Sequence, residues 1–259
     1  MEKNLNINLN QNIHFLYKKN FFIFELNDFL DEKNYNLLYE NFPLIPKQKL
    51  KSFELEKNNK KFFINSREEI YTQTISQNKV LMDFHNLIFS RAFFNFFFRK
   101  LKFPFLISRL TDLKFLLKQL LPIKLNNEKK FLDIFHTHIK TQIEYSYMFN
   151  GGKIVPHTDS RHKLLSLLLF FPDKNEDMSQ QEKFGTAFWD SETSNIDNEH
   201  LSNEKEIDFK NKSKKLFQIP FTKMKLFGFI GNDKSWHSVE SFFINEKYIR
   251  KSININFYF

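Results

Sequence analysis

The sequence contains no cysteine. That excludes disulfides, zinc–thiolate sites, iron–sulfur clusters and thiol catalysis. It also lacks any apolar run near the ~20 residues that a membrane helix needs. Its greasiest stretch, Phe93 to Lys100, is short and interrupted by Asn95. The opening MEKNLNINLNQNIHF has neither the basic start nor the apolar core of a secretory signal. Long basic blocks are missing too, although the net charge is +9. The lysines are scattered and often accompanied by Glu or Asp, which reads as a solvated surface and leaves an anionic substrate open. No internal repeat occurs. These absences lead to the expectation of a soluble, cytoplasmic protein with no membrane span.

What is present is 259 residues, enough for one large domain or two small ones. Hydrophobic residues make up 41% and can build a sizeable core. Aromatics reach 17%, dominated by 35 Phe. Because Phe recurs in every segment, it points to compositional bias rather than to an aromatic binding surface.

Periodicity divides the chain. Phe21 to Leu26 is strand-like, and Asp31 can cap a helix whose Tyr35, Leu38 and Phe42 share one face, ending at Pro43. Ser76 to about Leu101 follows the helical period, with Ser76 as a cap. Leu106 to Pro122 reads as a second long helix, separated from the first by Pro104. From Thr137 the composition becomes that of strands: Thr137 to Phe149 before the Gly151-Gly152 turn, Leu164 to Phe171, Phe184 to Asp190, Met224 to Gly231 and Arg250 to Phe259. Asp190 to Lys215 is polar and reads as an exposed insertion. The expectation is an α+β single domain over 1–259. Residues 1–135 form a helix-rich support, and 136–259 form a sandwich or barrel of short strands with a polar insertion at about 173–215.

The chemistry concentrates in GGKIVPHTDSRHKLLSLLLFFP, Gly151 to Pro172. Alternate strand residues point to one side, so His157 and Asp159 can meet one ion. Taken alone they read as a polar pair at a strand end. The best third ligand is His237 in GNDKSWHSVESF, and Arg250 then opens the final strand with Ser252 on its own face. Two His and one carboxylate form the facial triad of non-haem Fe(II) oxygenases, which keeps coordination positions open. A guanidinium fork with a nearby hydroxyl is a receptor for a carboxylate whose other end chelates the metal. His136 and His138 form a rival His-x-His pair without a downstream glutamate pattern. His162 and Lys163 can line the mouth or simply start a strand, and Trp236 reads as packing.

The ordered set His157-x-Asp159, His237, Arg250-x-Ser252 resembles the iron(II)/2-oxoglutarate-dependent dioxygenases, especially their prolyl-hydroxylase-like branch. The resemblance covers roughly Thr137 to Phe259, including the Gly-Gly turn, GTAFWD and SWHSV, with Phe22 to Pro43 similar to the branch's strand–helix entry. It implies a double-stranded β-helix, or jelly roll, backed by helices. His157, Asp159 and His237 would hold Fe(II), and Arg250 and Ser252 the far carboxylate of 2-oxoglutarate. O2 would be consumed with release of succinate and CO2, with ascorbate as reductant. Many members carry a Tyr shortly before the first ligand that touches 2-oxoglutarate. Here that position is Met148, so Tyr145 and Tyr147 stand in as the candidates. The second Arg of the nucleic-acid demethylases is missing after Arg250, which argues against a nucleic-acid partner. The substrate, small molecule or peptidyl, is unassigned, as is the oligomeric state. The competing reading is a non-catalytic jelly-roll protein that binds a metal or ligand, although such a protein would be expected to have lost one of these residues.

Overall fold

The computed structural model describes residues 5–46, 60–109, 139–173, 184–192, 201, 203–244 and 247–259. Its strands are β1 His14–Lys18, β2 Phe22–Leu26, β3 Lys61–Asn65, β4 Lys140–Phe149, β5 Ile154–His157, β6 Lys163–Phe171, β7 Thr186–Asp190, β8 Lys214–Ile219, β9 Leu226–Ile230, β10 Trp236–Val239 and β11 Ile249–Tyr258. Its helices are α1 Glu32–Glu40, α2 Glu69–Ser76, α3 Lys79–Ile88, α4 Arg91–Lys100, α5 Lys102–Arg109 and α6 Asn203–Lys212.

Two antiparallel sheets result. One has seven strands in the order β1-β2-β9-β6-β11-β4-β3, the other four in the order β5-β10-β7-β8. From β4 onward the chain crosses between the sheets at every step except the β7–β8 hairpin, so β4, β6, β9 and β11 lie in one and β5, β7, β8 and β10 in the other. That is the expected jelly roll. The first half is less purely helical than the sequence suggests, because β1, β2 and β3 extend both edges of the large sheet.

The large sheet has two unlike faces, set by the period of two along each strand. Leu165, Leu167, Leu169 and Phe171 of β6, Ile253, Ile255 and Phe257 of β11, and Ile143, Tyr145 and Tyr147 of β4 join one buried cluster with the helices. Phe93 and Phe97 of α4 stack against Phe257 at ring separations of 6.2 and 6.5 Å. Each fully buried side chain of this size stabilises the fold by about 1.5–3 kcal/mol relative to exposure. Gly228 on β9 sits under this packing. A Cβ there would lie 2.2 Å from the Phe24 ring, so only glycine lets β2 and β9 close.

The helices correct two expectations. Ser76 to Leu101 is not one helix. The chain extends at Asn78 and again at Ser90, whose side-chain oxygens accept the N–H groups of Leu81 and Phe93 and start α3 and α4 afresh. Pro104 does not separate two helices either. It lies in the first turn of α5, where its missing N–H would have had no intrahelical acceptor. Asp31 caps α1 as expected, accepting from the Asn34 N–H. Of the expected Leu106–Pro122 helix, the part beyond 109 lies outside the described residues, as do His136 and His138.

The polar insertion is also more ordered than its composition suggests. It contains α6, whose Phe209 packs on Trp236 and Trp189 at 4.6 and 6.2 Å. Glu206 of the same helix accepts from Lys153 at 2.7 Å and Lys210 at 2.8 Å. Burial would raise this carboxyl, but the two ammonium groups outweigh burial and lower it. α6 thereby covers the outside of the small sheet. No helix among the described residues is long and apolar enough to cross a membrane.

Candidate metal centre

β5 and β10 are neighbours in the small sheet, and their register places His157 directly opposite His237. A cross-strand pair points its side chains to one face, and the two rings stand 4.3 Å apart at 49°. Asp159 follows His157 by two positions and completes the group. The ligand atoms of His157, Asp159 and His237 all lie within 4.8 Å of one another. The resemblance named these three residues, and the fold brings them together.

Each member is held in place by a further contact. His157 Nδ1 lies 3.0 Å from the Val155 carbonyl, and His237 Nδ1 lies 2.9 Å from the Ser235 carbonyl. A carbonyl only accepts, so in each ring Nδ1 carries the proton and Nε2 carries the lone pair that a metal requires. The Phe229 and Phe188 rings lie 4.8 and 5.9 Å from the His237 ring and fix its plane. Asp159 accepts from Lys163 Nζ at 2.8 Å through Oδ1 and from Ser166 Oγ at 2.9 Å through Oδ2. Burial alone would raise the Asp159 carboxyl. The Lys163 ammonium and the two imidazoles outweigh it and hold the group well below the usual carboxylate range. An ionised carboxylate has about four acceptor positions, so these two bonds leave room for a metal.

The three residues open on a cavity of ≈ 150 Å³ between the sheets. Arg250 and Ser252 line it as well. Arg250 is buried, donates from Nε to the Phe184 carbonyl at 2.6 Å, and lies against the adjoining Phe170 and Phe221 rings at 5.1 and 4.8 Å. Those contacts fix the guanidinium plane inside the cavity. Ser252 is buried next to it on the same face of β11.

Tyr145 and Tyr147 are not brought there. They sit at odd positions of β4, on the helix side of the large sheet. Phe42 packs edge-on against both, and the Tyr147 hydroxyl donates to the Pro43 carbonyl. Burial pushes both phenols above their ordinary value, Tyr145 further through Tyr71 and Tyr147. The even positions Glu144 and Ser146 face the cavity instead. Lys163 lines the cavity, whereas His162 is exposed. Trp236 is buried against α6 and does not line the cavity.

The cavity also holds residues that sequence reasoning did not single out. Lys61 of β3 donates to Glu144 Oε1 at 2.9 Å, and Asn254 Nδ2 donates to the same oxygen at 2.9 Å. Burial would raise the Glu144 carboxyl, but the charges of Lys61 and Lys163 and these hydrogen bonds lower it.

No family model and no curated protein matches the chain. Among solved structures it is similar to the non-haem alpha ketoglutarate dependent carbocyclase SnoK from nogalamycin biosynthesis. That match has 7% identity over 91% of this chain and 79% of the other, with a TM-score of 0.48. A Pseudomonas putida prolyl-4-hydroxylase matches at 10% identity over 91% of both chains, TM-score 0.37. HygX from Streptomyces hygroscopicus, solved with nickel and 2-oxoglutarate bound, matches at 8% identity over 91% of this chain and 82% of the other, TM-score 0.41.

Proposed function

We propose that this chain is an Fe(II)- and 2-oxoglutarate-dependent oxygenase that hydroxylates its substrate. One observation carries the reading: two imidazoles with Nδ1 tied to backbone carbonyls converge with the Asp159 carboxylate at the wall of a cavity. The donor set fits. Two imidazole nitrogens and one carboxylate suit Fe(II) and leave positions for further ligands, whereas a structural zinc site would be closed by four protein ligands.

In this reading His157, Asp159 and His237 hold the iron. Arg250 and Ser252 receive the far carboxylate of 2-oxoglutarate through charge-assisted hydrogen bonds. Bound iron and 2-oxoglutarate together supply the oxidising power of O2: one oxygen atom enters the substrate, the other enters succinate, and CO2 is released. The chain's own contribution is placement. Val155 and Ser235 set the imidazole tautomers, Ser166 and Lys163 orient Asp159, and the ring pair Phe170 and Phe221 orients Arg250. Burial of Arg250 removes competing water, which strengthens its bond to an anion. The helices and the jelly roll share one buried cluster, which supports a single working unit over the whole chain.

The test is an anaerobic titration. Purified protein should take up one Fe(II) per chain, and 2-oxoglutarate should then produce a metal-to-ligand charge-transfer band. Under air and with ascorbate, the same protein should release succinate. A protein that takes up no Fe(II), or that shows no band with 2-oxoglutarate, would sink the reading.

A further inference from the structure

One part of the cavity wall has no role in holding iron or 2-oxoglutarate. Glu144 on β4 is half-buried, and its Oε1 already accepts from Lys61 and Asn254. Its Oε2 accepts no hydrogen bond among the described residues. Lys61 Nζ spends one of its three donors on Glu144 and makes no other hydrogen bond among the described residues. Both groups line the same cavity as the His157, Asp159 and His237 cluster. The wall thus presents one acceptor and spare donors of opposite charge, side by side.

The fold has no need of this pair. Withdrawing two charges even partly from water carries a desolvation penalty, and apolar side chains of similar size commonly replace such a pair without loss of stability. The same sheet shows the alternative. Farther along the same face, Met148 of β4 and Phe170 of β6 close the interior with apolar groups. Lys61 comes from β3, a strand added at the edge of the large sheet, outside the eight strands from β4 to β11. The N-terminal half therefore reaches into the cavity with one charged side chain.

We propose that Lys61, Glu144 and Asn254 form the substrate-recognition wall, and that the substrate is a small zwitterion of the amino-acid class. Its ammonium is received by Glu144 Oε2 and its carboxylate by Lys61 Nζ, with Asn254 holding Glu144 in place. The Lys61–Glu144 pair is neutral as a unit. A ligand carrying one charge would leave a net charge shielded from water there, and an apolar ligand would leave Glu144 Oε2 and the spare Lys61 donors without partners. A zwitterion does neither. The inference rests on the oxygenase reading above and names the substrate class of that same site.

The experiment uses the full chain loaded with Zn(II) in place of Fe(II) and with 2-oxoglutarate. Calorimetric titration compares the free L-amino acids with their N-acetyl, N-methylamide counterparts, which lack both charges. At least one free amino acid should bind, and its capped form should bind at least tenfold more weakly. Glu144→Gln should weaken that amino acid at least tenfold and leave Zn(II) and 2-oxoglutarate binding unchanged. Because Glu144→Gln strands the Lys61 charge and can impair folding, the double variant Lys61→Gln/Glu144→Gln is measured beside it and should show the same loss. The proposal is overturned if no free amino acid binds the loaded protein, if capped and free forms bind alike, or if the double variant binds as tightly as the parent. A chain that holds neither Zn(II) nor 2-oxoglutarate would overturn the oxygenase reading, and this proposal with it. A chain that holds both yet ignores amino acids would overturn this proposal alone.

Discussion

The two faces of the large sheet are built from the same strands and could hardly differ more. Along β11, Ile253, Ile255 and Phe257 pack against the helices, whereas Arg250, Ser252, Asn254 and Asn256 face the cavity. Along β4, Ile143, Tyr145 and Tyr147 look one way, and Glu144 and Ser146 the other. The helix-side face supplies the apolar burial that holds the fold. The cavity face spends much of its area on hydrogen-bonded polar groups that a core does not require. Stability and chemistry are thus separated by one residue in the chain and by one sheet in space.

Substitutions on the two faces should therefore fail in different ways. The largest effect is expected on the cavity side. His237→Ala removes one of three ligands, so iron binding and turnover should disappear together while the thermal midpoint of the metal-free protein changes little. Iron content that survives the change would break the assignment. On the helix side, Leu167→Ala leaves a cavity in packed core and should destabilise the protein by about 2–5 kcal/mol in chemical denaturation. The protein that remains folded should bind iron and 2-oxoglutarate as before. A loss of metal affinity in the folded fraction would show that the faces are not independent.

Arg250→Met comes next. Losing a charge-assisted bond of about 1.5–3 kcal/mol should weaken 2-oxoglutarate roughly tenfold to hundredfold, read from the anaerobic charge-transfer band. Iron binding should survive. Arg250→Lys keeps the charge without the planar fork and should fall between parent and Met. The smallest effect is expected for Tyr147→Phe. It removes the single hydrogen bond to Pro43 and should lower stability by about 0.5–1.5 kcal/mol, with 2-oxoglutarate affinity unchanged. A clear drop in that affinity would mean that the helix side of β4 influences the cavity.

The same contrast explains what could be read from the sequence. The grouping of His157, Asp159 and His237, with Arg250 on the same cavity, is legible because a metal site and a carboxylate receptor each need particular residue types, and strand parity links residues two apart. The jelly-roll strands from β4 onward were legible as short apolar runs between turns. Tyr145 and Tyr147 were assigned to the cofactor by analogy with the family's tyrosine. Yet Lys140, Gln142, Glu144 and Ser146 alternate with Ile143, Tyr145, Tyr147 and Phe149, and this pattern already puts both tyrosines on the apolar side. The same alternation flags Glu144 and Ser146 as cavity residues. Lys61 could not be found that way, because its place depends on β3 pairing with β4 across more than seventy residues of chain. The break of Ser76 to Leu101 into separate helices was hidden as well. Asn78 and Ser90 are cap residues by type, but the hydrophobic period runs on past both. The helix α6 was hidden by its own polarity. It folds against the small sheet through Phe209, the Lys153–Glu206 ion pair and Lys210 over the Trp189 ring rather than through a broad apolar stripe.

The docking of α6 has a practical consequence for spectroscopy. The chain has two tryptophans, Trp189 and Trp236. They are cross-strand partners on β7 and β10, both are buried beneath Phe209, and the Trp189 indole donates to Ser238 at 2.8 Å. Trp236 precedes His237 in the chain. Intrinsic emission from this protein therefore originates at a single place, on the back of the strand that carries His237. A paramagnetic ion held by His157, Asp159 and His237 should quench these indoles, since Trp236 is the chain neighbour of His237, while release of α6 would expose them to water and shift their emission to the red. Quenching without a shift and a shift without quenching are distinct optical events, so one unlabelled fluorescence trace separates ion uptake from the undocking of a helix.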